Sequence, residues 1–518
     1  MVPTLTLEGG RMSELTESVE PTQPSADSAP KPHAAMQAVV VIHGMGEQRP
    51  MDTIKSFVRA VWETDEAITR NGLPNPTQVW SKPDERTGSL ELRRLTTRET
   101  ITSPPEFPGG VRTDFYELYW ADLTAGSTWD QFTAWVRGLL FRPWNRVPRD
   151  VHLAWLLLWF LSLIVLTLAA IGIMPAAIWS YTPWPGMAKW HWLLIAAAIA
   201  ATAGIHRVVT TTFGRVVRYT QSYPDNIAAR AAVRKRGLDL LRAIHNGNNY
   251  NRIIIVAHSL GTILAHDLLS YFWAERDAAR AIPDDAPEFA TLAALETAAD
   301  RVNRHDPDST ALKHYYAAQR EMRLQLARRP APDPNDPKQP DRRWLISDLV
   351  TLGSPLKHAE FLLASSKDDL ELRKSARELP ESPAFRELLD PEVLKCAVAT
   401  GKLPISIPAK NSRLMSFPIP PSHKTWELHH AAPFAVVRWT NIYDPAKLVF
   451  FGDIIGGPLA DVLGPAIVDV DLKKLRGRQS WCFTHTKYWT LDRDQKHIAA
   501  LRAAVNLLDR ADSDPNAS

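Results

Sequence analysis

The sequence predicts an α/β fold in which a mainly parallel sheet carries helices on both faces. Two observations lead there. Short β-branched runs alternate along the chain with stretches of helical periodicity, the pattern of strand–helix–strand units. With 518 residues, 45% hydrophobic and 23% charged, the chain suffices for one large α/β domain with insertions, or for two domains.

Taken in order, residues 1–35 are rich in Pro, Ser, Thr and Glu and read as a disordered tail without the apolar run of a secretory signal. The first strand is Gln37-Ala38-Val39-Val40-Val41-Ile42, ending in His43-Gly44-Met45-Gly46. Residues 113–120 alternate as a second strand. A helix is expected over about 225–245, rich in Ala, Leu and Arg. Arg252-Ile253-Ile254-Ile255-Val256 is the next buried strand and runs straight into Ala257-His258-Ser259-Leu260-Gly261, after which the periodicity turns helical through Trp273. Residues 345–352 and 434–442 read as further strands, and 495–508 as a helix that frays into a disordered tail over 511–518. Two insertions interrupt this plan: a helical one at 275–340 without strand signals, and a mixed polar, Pro-containing one at 366–430.

A third insertion, residues 141–218, is different in kind. Residues 153–179 hold no charged side chain, enough to cross a hydrocarbon core of ~30 Å. Residues 187–209 reach spanning length with Lys189 and Arg207 snorkelling at the ends. Trp155, Trp159, Trp179, Trp184, Trp190 and Trp192 fall where interfacial aromatic belts would lie. The other reading is a pair of buried helices or an apolar lid, but uncharged runs of this length are uncommon in soluble cores. If the strands before His43 and Ser259 share one sheet, the chain between them crosses a membrane an even number of times, which makes a hairpin. Arg142, Arg146 and Arg149 precede it, Arg207, Arg215 and Arg218 follow it, and the linking loop has only Lys189, so both ends are expected in the cytoplasm. That is the arrangement of an integral protein of a bacterial inner membrane.

The totals agree. The formal net charge of +3 gives no reason to expect a nucleic-acid partner. Two cysteines, Cys396 and Cys482, fit a reducing compartment rather than a disulfide scaffold.

Ser259 carries the chemistry. A serine hydroxyl needs a base, a carboxylate to orient that base, and donors for a developing oxyanion. Ala257 to Gly261 follows a strand and opens a helix, which fits the strained elbow written G-x-S-x-G, with Ala257 in place of the first Gly. Small residues are needed at both ends because the tight turn brings neighbouring backbone close.

At this point the chain resembles the α/β-hydrolase superfamily, in particular its lipase and esterase branch. The resemblance covers roughly half the chain (37–50, 225–273, 343–360 and 433–505), and T-L-G-S-P-L at 351–356 looks like the strand and turn after the elbow helix. On this resemblance His43-Gly44 is the oxyanion motif, and the implied donors are the backbone N–H groups of Met45 and Leu260. Losing one such donor costs about 3 kcal/mol of transition-state stabilisation. The implied base is His485 in W-C-F-T-H-T-K-Y-W at 481–489, which stands last in the order Ser…Asp…His. For the acid, Asp453 in F-G-D-I-I-G-G-P-L looks like the family's acid loop and is favoured over Asp444, which precedes Pro445 and can cap a turn; Asp461 stands third. His258 reads as structural, and the pair His429-His430 as a loop, since no further ligands accompany it.

The resemblance implies hydrolysis of a carboxylic ester through an acyl-enzyme, with no metal or organic cofactor. The hairpin beside the site suggests a lipid or other hydrophobic acyl ester. Two alternatives remain: an acyltransferase or thioesterase using the same three residues, and an inactive membrane-anchored interaction protein.

Overall fold

The computed structural model describes residues 34–44, 49–69, 79–89, 91–102, 107–124, 224–247, 249–303, 306–336, 338–399, 413–446, 455–476, 484–491 and 495–516, with 401, 403, 404, 452, 453 and scattered positions between 141 and 219. The expected hairpin therefore lies almost wholly outside the described residues. Among those described, no helix is long and apolar enough to cross a membrane.

The strands, in chain order, are β1 (Ala35–Ile42), β2 (Val79–Pro83), β3 (Arg93–Thr97), β4 (Val111–Leu118), β5 (Arg252–His258), β6 (Ala281–Pro283), β7 (Ile346–Leu352), β8 (Glu387–Leu388), β9 (Arg413–Leu414), β10 (Ser416–Pro418), β11 (Thr425–Leu428), β12 (Arg438–Tyr443) and β13 (Val468–Asp471). Eight of them form one sheet in the order β13-β12-β7-β5-β1-β4-β3-β2. From β13 to β4 neighbouring strands run parallel; β3 and β2 add an antiparallel edge. The protein is thus a mixed α/β fold on a mostly parallel sheet.

Both faces are buried, as a parallel sheet requires. Side chains alternate between two cores. Ala38, Val40 and Ile42 of β1, with Ile253, Ile255 and Ala257 of β5, point into the larger one. There they meet the helices Pro224–Asn246, Gly261–Ala274, Pro287–Arg301 and Ser309–Ala327. Val39, Val41, Ile254 and Val256 point the other way, against the helices Asp52–Val58 and Lys496–Val505.

Several elements differ from expectation. β2 and β3 carry little apolar patterning and give no strand signal. The 275–340 insertion contains β6, which pairs with Trp426 and Glu427 of β11 in a small antiparallel sheet. The strand expected from Phe434 begins at Arg438, because Pro433–Ala435 forms a 3-10 turn that is buried without being extended. The end expected to fray is held: Arg323 pairs with Asp509, and the Ser513 hydroxyl donates to the Ala503 carbonyl at 2.8 Å.

The connectivity fixes where a site can form. After β1 the chain goes to the edge strand β2 and returns through β3 to β4 beside β1; from β5 it builds outward through β7, β12 and β13 on the other side. The sheet reverses between β1 and β5, and in open α/β sheets the crevice at the carboxyl ends of the strands at such a point receives ligands. His43, Gly44 and Ser259 lie there.

Candidate active site

Ser259 follows β5 directly and sits at φ 54°, a left-handed conformation that costs a side chain of this kind roughly 1–2 kcal/mol. The turn is clamped on both sides. The Ser259 N–H donates to the Leu352 carbonyl at 3.0 Å, and its own carbonyl accepts from the N–H and hydroxyl of Thr262 at 2.9 and 2.7 Å. Small neighbours permit this. A Cβ on Gly44 would stand 2.6 Å from the Ser259 Cβ, and one on Gly261 would strike the carbonyl oxygens of Ile42 and His43. Leu260 is the N-cap of the helix Gly261–Ala274, so its N–H opens the helix where unsatisfied donors and the positive dipole end gather.

His485 lies in the 3-10 turn Thr484–Thr486. Its Nε2 is 2.8 Å from Ser259 Oγ and its Nδ1 is 2.9 Å from Asp453 Oδ2. Burial pushes the Asp453 carboxyl up, but hydrogen bonds from His485, Tyr488 and the Gly456 N–H more than offset this and lower its pKa to about 2. Asp453 is therefore an acceptor. Nδ1 must carry the imidazole proton, and Nε2 is left to accept from the serine hydroxyl.

Asp453 is itself held from several sides. Its Oδ2 also accepts from the Tyr488 hydroxyl at 2.6 Å, and its Oδ1 from the Ile455 N–H at 2.8 Å. Burial and the neighbouring carboxylate push the Tyr488 phenol well above its usual range, so it remains a donor. Gly353 (φ 56°) and Gly456 make room: a Cβ on either would lie within 2.7 Å of Asp453 Oδ2. Neither glycine nor Tyr488 is a candidate site residue on the sequence alone. The T-L-G-S-P-L turn and the aromatic pair after His485 were the available signals.

The other candidates lie as follows. Asp444, the alternative acid, does not contact His485. Its carboxylate pairs with Arg476 at 2.6 Å and accepts from the Thr484 hydroxyl at 2.6 Å, while its carbonyl accepts from the Asp453 N–H at 2.9 Å. His43 is fully buried and stacked on Trp120. Its Nε2 accepts from the Trp120 N–H at 3.2 Å, so Nδ1 is the protonated nitrogen and donates to the Gly44 carbonyl at 2.7 Å. Met45 lies outside the described residues. His429 donates from Nε2 to the Phe385 carbonyl at 2.8 Å, a loop contact. Among the described residues no group of three or more His, Cys, Asp or Glu side chains could hold a metal ion.

The structure therefore brings Ser259, His485 and Asp453 into one hydrogen-bonded chain from the ends of β5, β12 and β13. Comparison of the chain with protein families, curated proteins and solved structures finds no match.

Proposed function

We propose that the protein is a serine hydrolase of the α/β-hydrolase type that cleaves a carboxylic ester. One observation carries the reading: the unbroken run of hydrogen bonds from Asp453 through His485 to Ser259, with the serine on a strained turn at the head of a helix. Ser259 Oγ attacks the ester carbonyl while His485 Nε2 takes its proton. The alkoxide of the tetrahedral intermediate is stabilised by the N–H groups of Leu260 and Met45. Collapse expels the alcohol, which receives the proton from His485, and leaves an acyl-serine. Water, deprotonated by the same nitrogen, then releases the carboxylic acid and restores the hydroxyl. Asp453 holds the imidazole in the tautomer this requires and offsets its charge when it is protonated.

The substrate is proposed to be a lipid or other hydrophobic acyl ester, presented at a membrane in which residues 141–218 form a hairpin. Two observations favour this. Leu156, Phe160, Leu163 and Leu166 are helical and strongly exposed, an apolar surface of the kind that needs a non-aqueous neighbour. And β1 pairs directly with β5, so a membrane segment between them would cross an even number of times; the flanking arginines then favour a cytoplasmic catalytic domain.

A fluorophosphonate probe tests the chemistry. It should label the wild-type serine and leave Ser259→Ala unlabelled; equal labelling of both removes the reading. Product analysis with an ester and a competing alcohol separates hydrolysis from acyl transfer. A reporter fused after residue 518 that reads as periplasmic would overturn the orientation.

A further inference from the structure

The geometry points to His258, the residue before the nucleophile, as a positioning residue that ties the elbow to the loop carrying His485; this rests on the serine-hydrolase reading above. His258 Nε2 lies 2.6 Å from the backbone carbonyl of His485, across 227 positions of sequence. A carbonyl can only accept, so Nε2 carries the proton and donates. The half-buried imidazole packs between aromatic rings: its centroid is 5.0 Å from that of His485 and 5.0 Å from that of Trp489, which meets it edge-on. On the remaining side a Cβ added to Gly44 would stand 3.2 Å from its Nδ1.

Ser259 is fixed to the sheet by its own backbone, and Asp453, itself held by Tyr488, fixes the far edge of the His485 ring. What sets the distance between the ring's near nitrogen and Ser259 Oγ is the placement of the His485 backbone relative to β5. Thr484 is held toward β12 by Asp444 and by the Gly452 carbonyl. Among the described contacts, His258 is the one that holds the His485 main chain toward β5 itself. Because the two histidines sit on the two partners of the proton transfer, a slip of this clasp lengthens the 2.8 Å Nε2–Oγ bond directly. Burial, with His485 beside it, holds the His258 pKa down at about 3. The clasp is therefore neutral, and adds no repulsion when His485 gains its charge.

The chemistry of the donor supplies the test. A glutamine amide reaches about as far as imidazole Nε2, whereas an asparagine amide reaches only as far as Nδ1. His258→Gln, His258→Asn and His258→Phe are compared with wild type and Ser259→Ala, using p-nitrophenyl butyrate turnover and the rate of fluorophosphonate labelling. Asn and Phe should lower kcat and labelling about tenfold or more with KM within about twofold, and Gln should restore most of that rate. Thermal melting of Gln and Asn should agree, which separates positioning from folding. Equal rates for Gln and Asn, or a loss carried by KM, overturns the clasp while leaving Ser259-dependent labelling intact. Wild-type protein that Ser259→Ala does not distinguish overturns the hydrolase reading, and the clasp with it.

Discussion

The two halves of the site are built by opposite means. Ser259 is held by covalent geometry: a strand end, a left-handed turn and the first turn of a helix, within five residues. Asp453 sits on a loop after β12 and His485 in a 3-10 turn after β13, and side-chain hydrogen bonds that join these two segments hold them. The position of the proposed nucleophile is thus a property of local backbone. The position of the proposed acid–base pair is a property of a buried polar network, in which each member can be removed singly without breaking the chain's course. This makes the second half the place where single substitutions separate catalysis from stability.

The largest effect is expected at Asp453. Asp453→Asn cannot accept the Nδ1–H as a carboxylate does, so the imidazole loses its preferred tautomer, and kcat should fall by about 10³–10⁴ with little change in melting. Asp444→Asn should do the reverse. It breaks a buried pair with Arg476, both side chains being nearly inaccessible, at a cost of about 3 kcal/mol in stability. The rate of the molecules that remain folded should fall far less than in Asp453→Asn. Denaturant melts and kcat measured on the same two variants check both halves; an Asp444→Asn variant that is fully stable and inactive would reverse the roles of the two aspartates.

The same contrast explains what could be read from the sequence. Ala257 to Gly261 marks the proposed nucleophile in the sequence because its constraints lie within the motif. Asp453 ranks above Asp444 by the apolar residues and small turn that follow it, and because Pro445 after Asp444 suits a turn cap. What Gly456 does, clearing space against the carboxylate, depends on Gly353 one strand away. Tyr488 was visible as half of an aromatic pair, but its bond to Asp453 spans 35 residues and no local pattern encodes it. In the fold, the buried parallel strands were legible because burial on both faces forces continuous apolar runs. β2 and β3 were not, since an edge ribbon such as Val79–Pro83 is largely exposed and has little need of apolar residues. At Phe434 the apolar run reported burial correctly and conformation wrongly, because Pro433 opens a turn.

Tyr488 offers the smallest and most discriminating perturbation of the network. Tyr488→Phe keeps the buried ring and removes one charge-assisted hydrogen bond, a loss of about 1.5 kcal/mol. Its consequence for pH follows from the sign of the Asp453 shift. The carboxyl is lowered from 3.8 to about 2 in the folded protein. Its ionisation therefore contributes stability, roughly 2 kcal/mol, that is fully present above about pH 4 and is lost as the pH falls through 2. Without the phenolic donor the folded-state pKa rises toward its unfolded value, and that contribution shrinks. The stability difference between wild type and Tyr488→Phe should then be largest at pH 5 and above and should close as the pH is lowered from 4 toward 2. Urea melts across that range measure it. A difference that stays constant with pH would mean that the hydroxyl acts through packing rather than through the charge on Asp453, and that the acid is held by His485 and backbone N–H groups alone.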